Sequence, residues 1–112
     1  VISAVGIVAN TEDLGIENTK IKLDRGVIVV NQWLQTDEPG VYAIGDCVPG
    51  PWLAHKASHE GVICVEKIKG LNDVHPLKTE NIPGCTYCMP QVASVGLTEA
   101  KAKEKGYTVK VG

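Results

Sequence analysis

Two groups of residues in this chain have the types and spacing to do chemistry. The first is Gly45-Asp46, followed by Gly50-Pro51, Leu53-Ala54-His55, Ala57 and Glu60-Gly61. An apolar run that ends in Gly-Asp, then a loop, then a helix, is suited to holding a polar ligand. Glycine lets a ligand approach the backbone closely. The Asp46 carboxylate can accept hydrogen bonds from ligand hydroxyls. A helix beginning near Trp52 presents N–H groups with no partner inside the helix, together with the positive end of its dipole. Such an end favours an anion or an electron-rich carbonyl edge. The second group is Cys85-Thr86-Tyr87-Cys88, with the C-x-x-C spacing of a redox pair or half a zinc site. A tetrahedral site needs further ligands, and Cys47 and Cys64 fall on a loop and a helix. The thiols therefore read as packing residues. His55 belongs to the helix start, where its backbone matters. His59 and His75 have no partner visible in the sequence and read as surface residues. Glu60, mid-helix, reads as structural.

The elements that must position these groups follow from the apolar pattern. Residues 1–9 are apolar and largely β-branched, which predicts a buried strand. Asn10-Thr11-Glu12-Asp13 then marks a turn. Residues 14–23 form a mixed connector. Residues 27–30 predict a short buried strand after Arg25-Gly26, and 41–44 a third strand after the turn signal Thr36-Asp37-Glu38-Pro39-Gly40. Residues 47–51 read as a loop. From Trp52 onward, Leu53, Ala54, Ala57, Gly61, Cys64, Val65 and Ile68 recur at three- and four-residue steps, one face of a helix that Gly70 stops. Residues 72–80 read as a linker. Beyond it, 92–96 predicts a strand, and Thr98 caps a second helix over 99–105, closed by Gly106. Residues 107–111 predict the start of another strand. The lysines between 101 and 105 read as a solvated helix face.

Composition bounds the function classes. The chain has 112 residues, the usual size of one domain, enough for one modest core. Its 11 basic and 13 acidic residues leave a net charge of −2, which excludes a strongly basic nucleic-acid binder. A 44% hydrophobic and 21% charged composition excludes wholesale disorder. No apolar run approaches the ~20 residues that span a membrane. The opening residues lack the basic start and the cleavage site of a signal peptide. They read instead as mid-strand, so the sequence is expected to be a piece of a longer chain. Four irregularly spaced cysteines favour reduced thiols and an intracellular setting.

The stretch from Thr36 to Gly61 resembles the second flavin-binding motif of the FAD-dependent pyridine nucleotide–disulfide oxidoreductases. Within that family, Gly50-Pro51-x-Leu53-Ala54-His55-x-Ala57 with Glu60-Gly61 looks most like the dihydrolipoamide dehydrogenase subgroup. Val5-Gly6 followed by Asn10-Thr11 is similar to the strand leaving the family's NAD domain. Ile82-Pro83, Tyr87, Pro90 and the run from Val92 to Glu99 are similar to the opening of its interface domain. The resemblance implies an α/β fold: part of a FAD/NAD(P)-binding Rossmann-like domain plus the first strand–helix unit of the α+β interface (dimerisation) domain. Residues 1–9 would be the last strand of the NAD domain, 10–80 the second half of the FAD domain, and 81–112 the start of the interface domain.

Carried over by residue, the resemblance implies that Asp46 hydrogen-bonds the ribityl and pyrophosphate region of FAD. Trp52, Leu53, Ala54 and His55 would form the helix start under the flavin, with N–H groups facing its N1/O2 edge. Gly6 would sit where backbone approaches NAD, although Ile7 and Val8 stand where the family usually has basic residues. Trp52 stands where Met or Leu is common. The implied reaction passes electrons from dihydrolipoamide through a disulfide and FAD to NAD. The implied partners are a second copy of the chain and the acyltransferase core of a 2-oxo acid dehydrogenase complex, in the bacterial cytoplasm or mitochondrial matrix, with no nucleic acid and no membrane. No G-x-G-x-x-G occurs in the sequence, so neither dinucleotide phosphate loop is present. No catalytic residue is assigned, and the stretch is expected to supply one wall of the FAD site without activity of its own. A related disulfide reductase or a soluble transhydrogenase is the alternative within the class. A small zinc-binding module using Cys85 and Cys88 is the alternative outside it.

Overall fold

Arg25 and Gly26 both have positive φ, 48° and 85°. That is the two-residue type I′ geometry whose twist suits a tight hairpin. In the computed structural model, which describes residues 1–112, it joins strands β1 (Leu23–Asp24) and β2 (Val27–Ile28) in antiparallel register, Asp24 opposite Val27. The Thr11 hydroxyl donates to the Gly26 carbonyl at 2.7 Å and ties the turn to the preceding segment. Thr36 and Val41 pair through the backbone, and Gln35 bridges Tyr42, around a turn in which Val41 N–H donates to Glu38 O. Lys22 reaches Asp37 across this surface at 2.6 Å, and the hydrogen bond and charge of Asp37 raise the lysine pKa.

These segments belong to the first of two compact units, residues 1–77. Its core gathers Ile28, Ala43 and Val48, with Ile21, Val30 and Cys47 packed around them. Helix α1 (Ala54–Lys69) follows a 3-10 turn at Gly45–Cys47. It ends as the sequence predicts. Gly70 N–H donates to Lys67 O and Leu71 N–H to Glu66 O, a Schellman closure.

The structure departs from the sequence reading in three places here. Residues 1–9 form no strand, and Val1, Ile2, Val5 and Val8 are largely exposed. The apolar runs at 27–30 and 41–44 shorten to Val27–Ile28 and a single bridge at Tyr42. A strand exists only where a ladder partner lies alongside, and β-branched residues cannot supply one. The third departure concerns α1. Its buried positions are Lys56, Glu60 and Cys64, spaced i, i+4, i+8, while Val65 and Ile68 of the expected apolar face are more than half exposed. The segment at 72–80 is also less linker-like than its composition, since Val74 is buried.

The second unit, residues 78–112, holds strands β3 (Gly84–Thr86) and β4 (Val92–Ser94) in antiparallel register, Cys85 opposite Ala93. Helix α2 (Glu99–Glu104) starts at Thr98, whose Oγ1 accepts from Lys101 N–H at 3.3 Å. It closes as α1 does, with Gly106 N–H on Lys103 O and Tyr107 N–H on Ala102 O. Residues 107–111 form no strand. The mixed α/β class is as the resemblance implies, while both sheets are two-stranded and antiparallel.

Candidate functional site: the Gly45-Asp46 loop and the start of helix α1

Gly45 is where the loop meets the helix. Its φ is 78°, in the left-handed region, and a β-carbon there would stand 3.3 Å from Ala57 Cβ. Both the backbone conformation and the close approach therefore require glycine. Both backbone polar atoms of Gly45 are held from the helix side. Gly45 N–H donates to Glu60 Oε2 at 2.7 Å, and Lys56 Nζ donates to Gly45 O at 3.1 Å. Lys56 and Glu60 pair with each other at 3.0 Å, and only 3% and 4% of these residues is exposed. Further along, Val48 N–H donates to Gly45 O, and the Trp52 indole N–H donates to Val48 O at 3.2 Å. The loop from Gly45 to Trp52 is thereby pinned at each end.

Asp46, next in the chain, is exposed, and no hydrogen bond or ion pair within the chain occupies its carboxylate. It lines an open hollow of about 460 Å³ with Ile7, Val8, Ala9, Asn10, Cys47 and Trp52. One carboxylate acceptor faces an aromatic wall and an apolar wall, with no basic side chain among the lining residues. Such a lining suits hydroxyl donors and flat apolar groups better than free phosphate.

Of the residues singled out from sequence, the structure brings Asp46 and Trp52 to one hollow. Leu53 is the N-cap of α1, with its carbonyl accepting from Ala57 N–H. Ala54 and His55 form the first helical positions. No side chain caps this end and no acidic residue sits in its first turn, so its dipole is left for another group to meet. Leu53, Ala54 and His55 do not line the hollow. Gly6 is exposed, with nothing within 4 Å of a β-carbon built on it, and it precedes the lining residue Ile7. No three His, Cys, Asp or Glu side chains come together in a way that could hold a metal ion, and Cys85 and Cys88 are both exposed free thiols. Lys56 escaped the sequence reading. Its only signal is the i, i+4, i+8 spacing with Glu60 and Cys64, and lysine at a helix position defaults to solvent.

Residues 1–61 match the family described as pyridine nucleotide-disulphide oxidoreductase, and 82–112 match the dimerisation domain of the same family. The chain belongs to that family. A dihydrolipoyl dehydrogenase of Rhizobium etli is 60% identical over 99% of this chain, and that of Bacillus subtilis is 51% identical over 97%. Each alignment covers 23% of the relative, so the chain spans about a quarter of the length of the curated relatives it matches. Among solved structures, LpdA of Mycobacterium tuberculosis superposes with a TM-score of 0.78 at 30% identity, over 88% of this chain and 21% of that one. The HOCl-induced flavoprotein disulfide reductase RclA of Escherichia coli gives 0.75 at 28%, over 92% and 24%. Family members are oxidoreductases that depend on FAD and NAD. No helix of this member is long and apolar enough to cross a membrane.

Proposed function

We propose that this chain is part of a dihydrolipoyl dehydrogenase, an oxidoreductase that oxidises dihydrolipoamide to lipoamide and reduces NAD through FAD. The observation that carries the reading is the exposed Asp46 carboxylate, bonded to nothing in the chain, on an open hollow beside a helix start that no side chain caps. It lies within a stretch that relatives named dihydrolipoyl dehydrogenase share at 51–60% identity. The hollow suits FAD on its own chemistry: a carboxylate accepts from the ribityl hydroxyls, and the Trp52 ring and the apolar residues 7–9 cover flat surface. FAD, when bound, relays an electron pair between a dithiol and the nicotinamide. Asp46 anchors and orients it. Leu53, Ala54 and His55 supply the positive end of α1, which favours the electron-rich edge of the ring. Gly6 gives the backbone close approach toward NAD. None of these residues moves a proton, and the 112 residues alone form one wall of the site without activity.

In the same reading, residues 1–9 close the NAD domain, 10–80 belong to the FAD domain and 81–112 begin the interface domain. The match of residues 82–112 to a dimerisation domain supports a homodimer. The further partner is the acyltransferase core of a 2-oxo acid dehydrogenase complex. Relatives that are bacterial or named mitochondrial support the cytoplasm or the mitochondrial matrix as its location.

The test is turnover by the full-length protein containing these residues. Purified with its flavin, it is expected to reduce NAD with dihydrolipoamide and to ignore glutathione. Reduction of glutathione disulfide, or hydride exchange between nicotinamides without lipoamide turnover, would overturn the substrate assignment in favour of a related reductase or a transhydrogenase.

A further inference from the structure

Lys56 and Glu60 do not line the hollow, yet they carry the least expected chemistry around it. Two charged side chains are almost wholly removed from water, an arrangement that costs several kcal/mol per ion before their attraction offsets it. Hydrophobic residues of similar volume often serve stability equally well. What such residues cannot do is hold one residue by its backbone N–H and its carbonyl together. Glu60 accepts from Gly45 N–H at 2.7 Å, Lys56 donates to Gly45 O at 3.1 Å, and the 3.0 Å bond between them closes the ring. Gly45 is the residue before Asp46. The Asp46 carboxylate itself has no bond inside the chain, so the backbone that carries it sets where the side chain starts and which rotamers face the hollow.

We propose that Lys56 and Glu60 are positioning residues that act through Gly45 to hold the Asp46 carboxylate toward the hollow, ready for a ligand's hydroxyls. The inference rests on the flavin reading of that hollow. The pair reaches Gly45 from one helix turn, at positions four residues apart on one face. Both backbone polar atoms of Gly45 are engaged, which holds the peptide planes on either side of it, the second of them leading into Asp46. Gly50 packs over the same lysine, since a β-carbon there would stand 3.0 Å from Lys56 Cε. The loop on the far side of Asp46 is therefore fixed against the same side chain.

The experiment is a double-mutant cycle in the full-length holoenzyme, read as the FAD dissociation constant from the fluorescence of released flavin. Asp46→Ala is expected to weaken FAD by at least tenfold. Glu60→Leu, which leaves Asp46 in place, is expected to weaken it by about tenfold. Glu60→Gln, which keeps an acceptor for Gly45 N–H, should recover most of that loss. In the Asp46→Ala background, Glu60→Leu should change FAD affinity less than threefold, because the group it positions is gone. If Glu60→Leu does not fold, Lys56→Met enters the same cycle with the same expected non-additivity. Equal weakening by Glu60→Leu or Lys56→Met with and without Asp46, or no weakening at all, would overturn the positioning role and leave the flavin reading intact. Unchanged FAD affinity in Asp46→Ala alone would overturn both.

Discussion

Two pairs of lysine and glutamate share the i, i+4 spacing, one in each compact unit. Lys56 and Glu60 on α1 keep 3% and 6% of their side chains exposed, whereas Lys103 and Glu99 on α2 keep 61% and 49%. The second pair decorates a short, solvated helix, in a unit with no buried residue. The first is enclosed and bonded to a peptide 11 and 15 positions away. The same two residue types at the same spacing thus have different energetics. In water the attraction is weak and screened. Out of water, each partner depends on the other and on the peptide between them.

Breaking the pairs one at a time gives the largest contrast. Glu60→Leu strands the Lys56 charge and the Gly45 N–H, and should destabilise the first unit by about 3–5 kcal/mol. A urea titration reads this directly, and a loss below 1 kcal/mol would mean that the pair is not enclosed in solution. Gly45→Ala comes next. A side chain in the left-handed region costs about 1–2 kcal/mol, and the 3.3 Å approach to Ala57 adds to it. Gly106→Ala has a similar φ, 85°, but open space around it, so it should cost less than Gly45→Ala. Equal losses would remove the close approach from the account.

Thr98→Ala should cost the second unit about 1 kcal/mol by removing the only side-chain cap of α2, with a drop in helical circular dichroism. The cysteines sharpen the contrast by pH. Burial raises the Cys64 pKa above its ordinary 9.0, so the folded state prefers the thiol. That contribution to stability is present below pH 9.0 and is lost as pH rises through the folded value. Cys64 should be alkylated more slowly than the exposed Cys85 and Cys88, and Cys64→Ala should flatten the alkaline loss of stability. An equal labelling rate for all three would show that the α1 stripe opens readily. Lys103→Ala should produce the smallest effect, within about 0.5 kcal/mol, and disappear in high salt.

Much of the local structure was legible in the sequence. Thr98 as a cap, Gly70 and Gly106 as helix stops, and the turn before Val41 all depend on atoms within about five residues, where residue type alone decides the geometry. That Asp46 and Trp52 lie near each other was legible because they flank one loop. The runs at 1–9 and 41–44 were not, because β-branched character describes a willingness to pair and says nothing of whether a partner lies alongside.

The sequence by itself determined the motif, its order along the chain, the α/β class and the ends of both helices. Only the tertiary structure decided which face of α1 is buried. The apolar count placed Cys64 inside correctly, but it also favoured Val65 and Ile68, which are exposed, and passed over Lys56 and Glu60, which are buried. The reason is the distance in sequence between Gly45 and its two partners. A residue whose carbonyl needs a donor and whose N–H needs an acceptor can recruit them from a helix 11 and 15 residues on, and a bond of that span leaves no periodicity to read until the chain has folded.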